Sequence, residues 1–413
     1  MMSFSELTED KGGKNLHLEH LEDEILNYGV DGGRAALNFL RSLRDMLSGS
    51  ARSSLNMTVK WDGAPAIFAG IEPETGDFFV AKKSVFNVNP KLYKTAQEID
   101  DDLSGALNEK FKVALAEFSK LGIKGVLQGD LMFSSDVETE TIDGILYLTF
   151  QPNTIVYAVP VDSALGKTIN KAKVGIVWHT TYTGDTLQGM TASFGADISG
   201  LKKPSSVWMD DATYKDVSGK ATFTTAETES ITSVLSQVGK TFQKINANGL
   251  RKFLTVQNGM TGSIAGASLK TYNNSKVRAG EKINNPGAHA KGYEKWVEMS
   301  IQKQIDKAKS DKGKEKYTNM QKEYMREVKK HTGNLKQIIT FQNLLVDAKM
   351  QIVKKLNSVK GLTDTFVKTK DGFKVTNPEG YVAIDRISGG AVKLVDRMEF
   401  SFNNFTAIKA WDK

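Results

Sequence analysis

The sequence predicts an α+β protein: an antiparallel-sheet core with N-terminal helices and a large basic, mostly helical insertion. Short β-rich runs fill the region from about residue 56 to 182 and return after 361. Between them, 225–360 carries apolar residues at helical spacing. Helix and strand do not alternate regularly, which excludes a doubly wound fold. The expected divisions are 1–55, 56–224, 225–360 and 361–413, the second and fourth forming one core.

Residues 17–28 and 33–48 read as two helices, because Leu18, Leu21 and Ile25, then Leu37, Leu40, Leu43 and Leu47, recur three or four apart. Gly29, Gly32 and Gly33 separate them. Strands follow over 56–60, 66–71 and 78–82, the last two joined by a Pro73-to-Asp77 turn. A helix over 99–120 and strands over 124–133, 145–150, 154–161 and 173–182 come next. In the basic block, Ile338, Phe341, Leu345, Ala348, Ile352 and Leu356 form a stripe expected to be core, whereas 262–292 has no periodicity and reads as a long loop. Strands over 365–368, 373–376, 381–384 and 391–395 close the pattern.

A chain of 413 residues buries a substantial core without staples, and its zero cysteines exclude disulfides, thiolate zinc sites and a cysteine nucleophile. No run of about 18 apolar residues suggests a membrane span, and Met1 to Glu6 lacks a signal-peptide pattern, so a cytoplasmic, membrane-free protein is expected; a monomer is the separate expectation for its assembly. Residues 231–360 hold 25 lysines and arginines against 9 acids, while the rest is net acidic. So concentrated a field suits a polyanion, and the expected partner is nucleic acid.

Four short motifs stand in order: Lys60-Trp61-Asp62-Gly63, Gly129-Asp130-Leu131-Met132, Glu379-Gly380-Tyr381-Val382 and Lys393-Leu394-Val395-Asp396. Each alone is an ordinary turn or strand end. Together they resemble the motifs of ATP-dependent polynucleotide ligases and capping enzymes, a covalent nucleotidyltransferase superfamily, and the match is most RNA ligase-like, of the compact bacteriophage type. The resemblance implies an ATP-grasp-like nucleotidyltransferase core without a C-terminal OB-fold. It also implies ATP and Mg²⁺ (or Mn²⁺) as cofactors, and RNA in preference to DNA as substrate.

The resemblance casts Lys60 as nucleophile, its pKa lowered by Mg²⁺ and nearby lysines; Lys393 as a cation on the α-phosphate; and Glu379 as the carboxylate for metal or the lysine proton. It puts Asp130 on ribose or metal and Tyr157 against the purine. Asp62, Gly63, Lys82, Lys83, Arg386 and Arg397 complete the expected nucleotide site; of Lys82 and Lys83, adjacent in the chain, one is expected to face it. Two positions depart from the family pattern. Pro65 stands where arginine is frequent and Val395 where a second lysine is expected, with Lys83 and Arg397 as substitutes. The same motifs leave open a DNA ligase, a guanylyltransferase, or an inactive nucleic-acid-binding protein on this scaffold. His17, His20 and Glu24 read as a helix surface rather than a metal site, His179 reads as packing, and no phosphate-binding loop or dinucleotide fingerprint occurs.

Overall fold

The computed structural model describes residues 20–49, 55–214, 222–264, 266–358, 361–369, 372–385 and 391–399, and it is α+β with mainly antiparallel sheets. His17 and Arg386 lie outside the described residues. Among those described, no helix is long and apolar enough to cross a membrane.

Helix α1 (Glu24–Leu47) is one run kinked at Gly29, where φ of 65° needs a residue without a Cβ, so the two expected helices are halves of one element. The first strands follow as β1 (Leu55–Lys60), β2 (Ala66–Ile71) and β3 (Phe78–Ala81). The helix expected over 99–120 is split into α2 (Ala96–Asp102), closed at its start by a Thr95–Glu98 capping box, and α3 (Gly105–Phe118). Then come β4 (Val126–Phe133), β5 (Glu138–Ile142), β6 (Ile145–Phe150), β7 (Ile155–Pro160), α4 (Ala164–Ile169), β8 (Val174–Thr183), β9 (Thr191–Phe194) and β10 (Val207–Asp210).

The helical block comprises α5 (Thr225–Gln243), α6 (Ala247–Ser263), α7 (Leu269–Arg278), α8 (Pro286–Lys307) and α9 (Asp311–Asn357). The expected loop over 262–292 is therefore wrong in its middle, which is α7, and at its end, where α8 begins at Pro286. Ser268 caps α7 through the Thr271 N–H, and the helix buries Leu269, Tyr272 and Asn273; three buried positions in ten residues are too few for a visible period. On α9 the predicted stripe is core: Ile338, Phe341, Leu345, Ile352 and Leu356 are at most 1% exposed, each contributing roughly 1.5–3 kcal/mol by burial. Strands β11 (Asp364–Thr369), β12 (Gly372–Val375), β13 (Gly380–Asp385) and β14 (Ala391–Leu394) complete the described chain.

Three sheets result, with strand orders β1-β13-β14, β10-β8-β4-β2-β3 with β9 on β8, and β12-β11-β7-β6-β5. The first joins the two ends of the chain. In it Lys60 pairs with Gly380, Thr58 with Val382, and Val382 with Lys393. Because successive strand residues face opposite ways, Met57, Tyr381, Ala383, Val392 and Leu394 enter one core with α1 and the helical block, while Thr58, Lys60, Val382, Ile384 and Lys393 face away from it. The N-terminal helix and the insertion are thus one packed unit behind this sheet.

A buried ionic cluster ties that unit down. Glu22 takes Lys349 at 2.8 Å and Arg397 at 3.4 Å, and Asp23 takes Arg397 at 3.1 Å. Burial alone would raise Glu22, but the surrounding cations, Lys349 first, hold its carboxyl far below the usual range.

Candidate active site

Between the first sheet and the β8-β4-β2 face lies a cavity of about 430 Å³. Lys60, Lys83, Asp130, Glu379 and Lys393 all line it. Strand register brings Lys60 and Glu379 together: Gly380 is the residue opposite Lys60, and the Lys60 ammonium donates to Glu379 Oε2. Gly380 has φ of 152°, and an added Cβ would lie 2.6 Å from Leu394 O, so only glycine lets β14 approach here.

Asp130 is held in place by the turn that follows Lys60. Ala64 N donates to Leu131 O at 3.0 Å and Leu131 N to Pro65 O at 3.1 Å, which pins the turn to β4. A Cβ on Gly63 would fall 2.5 Å from Asp130 Cβ, so Gly63 provides clearance for the carboxylate's backbone rather than for a ligand.

His179, read from sequence as packing, also lines the cavity, with Nε2 3.7 Å from Asp130 Oδ1. The register of β4 on β8 explains it. Gln128 pairs with Thr180 and Gly129 with Trp178, so His179 is the extra residue of a bulge, which breaks the alternation that would have turned it away from Thr180. Only a signal for the bulge would have found it. Phe194, Ala192, Val382 and Ile384 add an apolar wall, so one cavity offers lysines and carboxylates on one part of its surface and hydrocarbon on another.

The electrostatics differ from expectation. Burial pushes the Lys60 amine down, but the adjacent Glu379 carboxylate outweighs it and the net shift is upward. Lys60 therefore rests as an ammonium, where positive neighbours were expected to lower it. Lys393 is the depressed amine, pushed down to about 8 by burial and by the Lys60 charge. Among the described residues, Asp130 and Glu379 are the carboxylates that line the cavity, and no cluster of three metal-ligating residues occurs. Two carboxylates suit a Mg²⁺ ion that takes its remaining ligands from phosphate and water.

Other expected site residues are elsewhere. Asp62 is buried, and its carboxylate accepts from Asn153 Nδ2 at 2.7 Å, Thr154 N at 2.8 Å and Ile155 N at 3.0 Å, spending its lone pairs on the start of β7. Tyr157 is 2% exposed, accepts from Asp62 N at 2.6 Å and packs between Trp61 and Phe150, so no face is left for a purine in this cavity. Lys82 turns to Asp102 at 3.1 Å, leaving Lys83 as the one that faces the cavity. Arg397 is held in the Glu22–Asp23 cluster and does not replace the missing lysine at Val395, which is itself fully buried.

A model described as a family of unknown function, DUF6267, matches residues 15–409. The chain belongs to this family. Every cavity residue of this DUF6267 chain falls within the matched span. No curated protein and no solved structure matches it.

Proposed function

We propose that the chain is an ATP-dependent, RNA ligase-like nucleotidyltransferase that carries AMP on Lys60. One observation supports this most: Lys60, Asp130, Glu379 and Lys393, drawn from both ends of the chain, line a single cavity with Lys83. Three amines there suit a triphosphate, and the Phe194 wall offers hydrocarbon to the base in the place assigned from sequence to Tyr157.

In this reading the Lys60 proton moves to Glu379, its hydrogen-bond partner, and the freed amine attacks the α-phosphorus of ATP. The new bond is nitrogen to phosphorus; the bond that breaks is to pyrophosphate, which leaves. Lys393 and Lys83 balance negative charge on the phosphates. A 5′-phosphate oxygen of RNA then displaces Lys60 from the adenylate, and a 3′-hydroxyl displaces AMP to seal the strand. Asp130 and Glu379 would hold a divalent cation, which would supply charge neutralisation at the phosphates.

The exposed cations Lys322, Arg326, Lys329 and Lys330 on α9 would hold the polynucleotide backbone. The test is incubation with α-labelled ATP or GTP and Mg²⁺, then denaturing electrophoresis. The expected result is a labelled band with ATP that pyrophosphate removes. A band with GTP alone would make the chain a guanylyltransferase, and salt-sensitive RNA binding without any band would leave a binding protein on this scaffold.

A further inference from the structure

A second cavity, of about 440 Å³, adjoins the lysine cavity and shares Val59 and Trp61 with it. Its chemistry is the reverse. Asp143, Asp210 and Asp364 line it, and none of its described lining residues is Lys, Arg or His.

Its walls are aromatic, with four tyrosines whose hydroxyls are already engaged. Tyr147 OH donates to Asp364 at 3.2 Å, Tyr214 OH to Leu356 O at 3.3 Å and Tyr381 OH to Asn357 Oδ1 at 2.8 Å, while Tyr157 OH accepts from Asp62 N. With Tyr157 enclosed by Trp61 and Phe150, a ligand meets the Tyr147, Tyr214 and Tyr381 part of the wall and the carboxylates. The rim is apolar and open: Ile145, Leu362 and Val375 are 49%, 38% and 71% exposed, half of the strongly exposed large hydrophobics among the described residues.

We propose that this cavity receives an arginine side chain of a protein partner, flanked by apolar residues that cover the rim. A guanidinium is flat, stacks on aromatic faces and pairs with carboxylates through a fork of donors, which matches walls and charge together. Trp61 is a second, independent pointer. It is 6% exposed and its indole N–H finds no acceptor among the described residues, so the shared wall holds one unsatisfied donor. Carboxylates repel a nucleic-acid backbone, and the apolar rim gives a polyamine nothing to bind.

The test is fluorescence anisotropy of the full chain with fluorescein-labelled acetyl-Leu-Arg-Ile-amide and with its citrulline counterpart, which keeps shape but not charge. The arginine peptide is expected to bind one to one, at least about tenfold tighter than the citrulline peptide. Asp143→Asn is expected to weaken it about tenfold. Asn tolerates the φ of 50° at this turn position, so the variant keeps the fold. Asp197→Asn, an exposed carboxylate outside the cavity, controls for general charge and is expected to change nothing. Equal affinity for both peptides, or no binding, overturns the proposal. So does displacement by spermidine at lower concentration than by unlabelled arginine peptide. The outcome is independent of whether Lys60 takes label from ATP.

Discussion

Replacing Lys349 by Met removes one of the two cations that face Glu22 and leaves Arg397 as the cation paired with both buried carboxylates, Glu22 and Asp23. Lys349 and Glu22 are 1% and 4% exposed, so water cannot take the place of the lost partner. Breaking such a buried pair from one side costs about 3–5 kcal/mol. The sign of the pH dependence follows from Glu22. Its folded pKa is depressed, so its contribution is present above its unfolded value, about 4.3, and is lost as pH falls towards the folded value. Without Lys349 that depression shrinks. Lys349→Met should therefore be most destabilising near neutral pH, and the gap to the parent should narrow below about pH 4.3. Urea unfolding at several pH values measures this, and adding Glu22→Gln should recover part of the loss, since the pair is coupled. A variant within about 0.5 kcal/mol of the parent at pH 7 would refute the idea that this cluster ties helix to sheet.

Three further outcomes follow from individual contacts. Gly63→Ala drives a Cβ to 2.5 Å from Asp130 Cβ and should cost about 1–3 kcal/mol in thermal unfolding while weakening nucleotide binding. Tyr157→Phe removes the acceptor for Asp62 N and should cost about 1–3 kcal/mol of stability, yet leave the affinity for an ATP analogue unchanged, because the ring lies in the core. Changing Lys322, Arg326, Lys329 and Lys330 to Gln should weaken RNA binding and lower the salt slope by up to about 3, with self-labelling unaltered, as measured by filter binding across a salt series.

Much of the architecture was legible because it is written in periodicity. The α9 stripe and the strands of the first sheet follow from apolar spacing; pairing of β1, β13 and β14 then gathers Lys60, Glu379 and Lys393, and the turn after Lys60, pinned to β4, adds Asp130. What could not be read is direction and register. Asp62 sits in the same tetrapeptide as Lys60 but turns to bind 153–155; Arg397 follows Lys393 by four residues yet points into a buried cluster. His179 was hidden because its exposure to the cavity depends on a bulge, a shift between two strands that no local sequence encodes. That Lys60 rests paired with a carboxylate was hidden for the same reason, since Glu379 stands 319 residues away in the chain.

The most direct measurement is peptide mapping by mass spectrometry after incubation with ATP and Mg²⁺, to find which lysine bears AMP. A single phosphoramidate on Lys60, absent in Lys60→Ala, is the expected result. Modification of Lys393 instead, the amine the fold depresses, or an unmodified chain that still binds ATP, would contradict it.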